Sequence, residues 1–108
     1  MQSLLLSSVA TLLLLGSVTP AAQTMSGSGA KQCGDFMQAV RLKSDVAING
    51  YISWAQGFIS GFNWANVSGK DAVIDSAGLQ YWLVNFCGTQ PEVSFYQAVQ
   101  QLIAEQAR

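Results

Sequence analysis

Two widely spaced cysteines, Cys33 and Cys87, stand behind a leucine-rich, uncharged opening run. The run extends from Leu4 to Val18 and gives way to the small residues and proline of Thr19-Pro20-Ala21-Ala22. That order reads as the apolar region and cleavage zone of a secretory signal peptide over residues 1–22. The competing reading is a membrane anchor, but the run is shorter than the roughly 20 residues needed to cross hydrocarbon. Outside the cytoplasm, two thiols far apart in sequence form a disulfide more readily than a redox or metal site. Closing so long a loop contributes about 4 kcal/mol. After cleavage under ~80 residues remain to build a core, a size at which domains depend on a covalent staple.

Between leader and cysteine lies a Gly/Ser-rich stretch, residues 23–32, expected to be a disordered tail. The helical domain is placed at 33–108. Its charges, five basic and six acidic, give a net −1 and no basic patch, which argues against nucleic acid. With no histidine, a histidine-dependent triad is excluded, and neither a metal site nor a cofactor is expected. Asp71 and Asp75 stand four apart, a spacing that suits a solvated helix end better than an acid–base pair. An enzyme is therefore not expected.

Apolar periodicity near 3.6 marks four helices and no strand. The first covers Phe36 to Leu42. The second runs from about Asp45 to Asn63, capped by Ser44. Along it Ile48, Tyr51, Ile52, Trp54, Ala55, Phe58, Ile59 and Phe62 fill one arc. Gly50, Gly57 and Gly61 form a second line. Each costs a helix about 1 kcal/mol against alanine, so their alignment predicts close backbone packing; as plain helix breakers they would instead mark a loop. Asn49, Ser53, Gln56, Ser60 and Asn63 form a third line, either a subunit contact or a lightly charged surface. Asn66 to Lys70 is a turn that contains an Asn-x-Ser sequon. The third helix starts near Asp75 or Ser76 and ends at Cys87-Gly88, with Leu79, Trp82, Leu83 and Phe86 on one face. The fourth is expected to open at Pro91, with Phe95, Tyr96, Val99, Leu102 and Ile103 as its stripe.

The expected architecture is thus all-α: a small four-helix orthogonal bundle held by a Cys33–Cys87 bridge. Its many rings must be mostly core. Trp54, Phe58, Phe62, Trp64 and Trp82 are the candidates for a partner- or client-binding patch, and Trp64, just past the last helical turn, is the best placed for exposure.

Several stretches together resemble one family. They are Cys33-Gly34-Asp35-Phe36, Trp54-Ala55-Gln56-Gly57-Phe58-Ile59-Ser60-Gly61-Phe62-Asn63, Leu79, Trp82-Leu83, Cys87-Gly88-Thr89-Gln90-Pro91, and Phe95 with Ala98-Val99. The pattern is similar to the HdeA/HdeB group of periplasmic acid-stress chaperones. That resemblance implies a single-disulfide helical domain in the periplasm, dimeric near neutral pH. In acid it would loosen and hold unfolding proteins in solution. A second resemblance is to the Tai-type immunity proteins, also small, helical and periplasmic, which bind one dedicated secreted toxin. Neither implies a stable membrane anchor after cleavage.

Overall fold

The helices start where short polar side chains can cap them. The computed structural model describes residues 24–107; the leader assigned to 1–22 lies outside the described residues. Helix α1 spans Cys33–Arg41, α2 Asp45–Ala65, α3 Ser76–Thr89 and α4 Phe95–Gln106. The described residues hold no strand, only an isolated bridge between Gln32 and Ser94. The chain is all-α, as its periodicity predicts. Ser44 Oγ accepts from the Ala47 N–H at 3.4 Å, Asp75 Oδ1 from the Gly78 N–H at 2.7 Å, and Ser94 Oγ from the Gln97 N–H at 3.4 Å. Each satisfies one donor that a helix start leaves without an intrahelical partner. At α1 the Asp35 carboxylate accepts from the Gln32 N–H at 3.1 Å, an anion at the positive end of the dipole.

One face of each helix meets in a shared core. Phe36 of α1, Tyr51 of α2 and Phe95 of α4 pack against one another, with ring centroids 5.0–5.3 Å apart. Tyr51 meets both neighbours edge to face, the arrangement that ring quadrupoles favour. Burial pushes the Tyr51 phenol above its ordinary range, and the Asp35 charge adds to the shift. Cys33 of α1, Ala55 of α2, Leu79, Leu83 and Cys87 of α3, and Ala98, Val99 and Leu102 of α4 are fully buried.

The start of α1 is fastened to the α3–α4 connection. Cys33 and Cys87 are bridged, with Cα atoms 4.8 Å apart. Beside the bridge, the Cys33 N–H donates to the Val93 carbonyl and the Gly34 N–H to that of Pro91, both at 2.7 Å. The Phe95 N–H returns a bond of 2.7 Å to the Lys31 carbonyl. The loop carbonyls thus do for α1 what a side-chain cap does elsewhere. They also correct the expected start of α4. Pro91 does not open that helix: it stays in the connection, where its carbonyl is committed to Gly34, and the cap is Ser94 three residues later.

Two further expectations are overturned. Gly50, Gly57 and Gly61 do lie within α2, but all three are exposed, and a Cβ at any of them would meet nothing within 4 Å. No close helix packing occurs there, because the buried arc of α2 is centred on Ile48, Ile52, Ala55 and Ile59. The Gly/Ser-rich stretch, in turn, is not an unpacked tail. Residues Gly27–Ala30 form a turn of 3₁₀ helix with Gly29 buried. A Cβ on Gly29 would collide with the Trp54 indole, so only glycine fits beneath that ring. The Trp54 Nε1–H donates to the Ser26 carbonyl at 2.9 Å and fixes the segment in place.

Two stability measurements test this account. Replacing both Cys33 and Cys87 by serine should lower unfolding free energy by about 4 kcal/mol, read from urea titration; a loss below about 1 kcal/mol would contradict the bridge's role. Gly50→Ala should raise stability by about 0.5–1 kcal/mol, since the added methyl enters open space and removes backbone freedom from the unfolded chain. A drop would show that the glycine line is in contact after all.

Candidate functional site

Where α2 and α4 lie side by side, small residues leave a gap between them. Phe58 and Phe62, one turn apart on α2, form one wall. Gly61 contributes no side chain, and opposite stand Ile103 and Ala104 of α4 with Ala107 just past its end. The resulting groove has a volume of about 600 Å³. Gln100 is its one polar lining residue, and no charged side chain lines it. Ile103 is buried, the two phenylalanines are half-buried, and Ala104 is exposed. One flank is set by Trp54, which stacks on Phe58 at 5.2 Å while its indole nitrogen holds Ser26.

Such a surface offers no proton and no nucleophile. It can remove apolar groups from water, at about 25 cal/mol per Å² of area covered. A recess lined this way suits aliphatic or aromatic side chains of an unfolded or helical segment.

The five residues singled out as a binding patch do not form one. Phe58 and Phe62 share the groove. Trp54 covers the 3₁₀ turn next to it. Trp82 stacks on Phe86 at 5.0 Å in a separate hollow between α3 and α4, and its Nε1–H donates to Glu105 Oε2 at 2.9 Å. Trp64, in the last turn of α2, is 92% exposed. Sequence reasoning missed Ala104 and Ala107: their effect is a missing side chain, and apolar periodicity marks only side chains that are present.

The uncharged line along α2 has a structural use that neither sequence reading proposed. The Asn63 side-chain amide pairs with both backbone groups of Ala72, the Nδ2–H donating to the carbonyl and Oδ1 accepting from the N–H, each at 2.9 Å. The Gln56 Nε2–H donates to Ser76 Oγ at 2.6 Å. Together they pin the α2–α3 connection along the helix. In that connection Asn66 Oδ1 accepts from the Ser68 N–H at 3.1 Å, and Gly69 takes φ +78°, which glycine adopts freely.

Compared with known proteins, the chain matches no family model, no curated protein and no solved structure.

Filling the groove without disturbing the core separates its binding from its folding. Gly61→Leu extends a side chain into open space and raises helix propensity, so stability should be kept or gain up to about 1 kcal/mol. Fluorescence of an apolar dye such as bis-ANS bound to the folded protein should fall severalfold. Unchanged dye binding would show that the dye sits elsewhere and the groove is closed to apolar ligands.

Proposed function

We propose that this chain is an exported, disulfide-clamped holdase that keeps unfolding proteins in solution by sheltering their apolar segments in the α2–α4 groove. The observation that carries the reading is the groove itself: an uncharged, phenylalanine-walled recess left open on a small domain. The leader-like opening run and the bridge support work in an oxidising compartment, which the resemblance to HdeA and HdeB would make the periplasm.

Acid is the condition under which such an activity has value, and the chain's charge responds to it. Six carboxylates and five basic side chains give −1 at neutral pH. With the carboxylates neutral the chain carries about +5, and like-charge repulsion loosens contacts while the bridge limits unravelling. The carboxylates most involved in structure are Asp35 at the start of α1, Asp75 at the start of α3, and Glu105 against Trp82. Protonation weakens each of these charge-assisted bonds. The groove lining does not titrate, so its apolar character persists at every pH.

That persistence also favours a second reading. A recess that is already open at neutral pH can hold one dedicated protein partner, as the Tai-type resemblance implies, with no acid step.

One experiment separates the two. Light scattering of several unrelated denaturing clients is followed between about pH 2 and 7, with oxidised protein, reduced protein and Gly61→Leu. A holdase protects many clients, most strongly in acid, and loses most of that protection in Gly61→Leu and on reduction. If the oxidised protein protects no client anywhere in that range, the holdase reading is wrong and the dedicated-partner reading stands.

A further inference from the structure

On the opposite flank of α4 from the groove, three rings of α3 surround a carboxylate. Tyr81, Trp82, Asn85 and Phe86 occupy two adjacent rows of α3, and Glu105 reaches them from the last turn of α4. The hollow they line has a volume of about 380 Å³. Trp82 and Phe86 stack nearly parallel, 10° apart, each ring turning one face toward the other. Tyr81 stands beside them, 75% exposed. From these groups we infer that the hollow is a recognition site for an arginine side chain presented by a protein partner.

Three features on the surface point to a cation. Among the described residues the Glu105 carboxylate is oriented by neutral donors, the Trp82 Nε1–H at 2.9 Å and the Gln101 Nε2–H at 3.5 Å. Its charge is therefore positioned but not neutralised by them. The ring faces carry the negative side of their quadrupoles, which attracts cations. The end of α4 adds the negative pole of its dipole, and Glu105 lies in that last turn. Nothing comparable favours an anion or an aliphatic group here, in contrast to the uncharged groove across α4.

Among cations, the geometry selects guanidinium. It is planar, stacks on aromatic faces and bonds carboxylates through two parallel N–H groups, and it is more weakly hydrated than ammonium. The Asn85 side chain already donates to the Tyr81 carbonyl at 2.8 Å, which leaves its amide oxygen to accept a further N–H. The hollow is shallow and open along both helices. A free small cation would give up its translational freedom for a few exposed contacts, whereas an arginine carried on a docked protein has already done so.

This site stands apart from the groove, so its test needs no client and its failure leaves the holdase reading untouched. The probe is N-acetyl-arginine amide, titrated to high concentration because the free amide binds weakly, against the oxidised protein while the three indole N–H signals are followed by NMR, with Trp82 assigned through Trp82→Phe. The Trp82 signal should move and those of Trp54 and Trp64 should stay. N-acetyl-citrulline amide, the same shape without charge, should have no effect, and tetramethylammonium should bind more weakly than the arginine amide. Glu105→Gln keeps an acceptor for the Trp82 N–H but removes the charge. It should weaken binding at least about fivefold while the fold is kept and the melting temperature falls only slightly, since the neutral amide still accepts from the Trp82 N–H. Tyr81→Ser, at an exposed ring, should weaken it by a smaller factor. The inference is overturned if citrulline amide binds as well as arginine amide, if Glu105→Gln binds equally, if tetramethylammonium binds tighter, or if Trp82 never responds.

Discussion

One end of this molecule is fastened and the other is left open, and the fastening is a single seam. The Cys33–Cys87 bridge joins the start of α1 to the end of α3. Within a few residues of it, three backbone bonds of 2.7 Å tie the same start to the stretch that leads into α4. The bridge removes freedom from the unfolded chain, and the backbone bonds satisfy donors that the first turn of α1 would otherwise bury unpaired. From that seam α4 runs about 16 Å before reaching Ala104 and Ala107. The groove is therefore built where helix packing alone sets the spacing of α2 and α4. Small residues there do not let the gap collapse onto the core, because the core-facing sides of both helices are already filled by Ile59, Leu102 and Ile103.

How much of this could be read from the chain depends on the range of the interaction. Local signals were legible. Ser44 caps the helix it is expected to cap, and α3 begins at the expected Asp75–Ser76 step, since a helix start is decided within three residues. Leu79, Leu83, Val99 and Leu102 lie in the core because burial follows the helical period. Long-range pairings were not legible. Pro91 carries every local mark of a helix start, yet its carbonyl bonds to Gly34 across the molecule, and that bond holds it in the connection. Gly29 belongs to a stretch whose composition indicates disorder. What orders it is the indole of Trp54, far along the chain, whose ring needs a neighbour without a Cβ.

The glycines of α2 show the same limit from the other side. The three glycines do align on a helix, but not for close packing: among the described residues nothing outside the helix comes within 4 Å of a Cβ at Gly50, Gly57 or Gly61. Gly61 acquires a role only when α4 is set beside it, where its missing side chain opens the groove between Phe58 and Phe62. A site made by absence is invisible to pattern reading, which weighs the side chains that are there.

Helix α4 therefore separates two kinds of surface. Toward α2 stand Ile103 and Ala104, with Ala107 just past the helix end, and these have no proton to gain or lose. Toward α3 it presents Glu105, which orients Trp82 through its charge. The Trp82–Glu105 bond is charge-assisted and ties α3 to α4, while the apolar recess on the other side depends on no charge. The charged and the apolar groups thus occupy opposite flanks of one helix, the same helix whose start is held by the seam at Cys33.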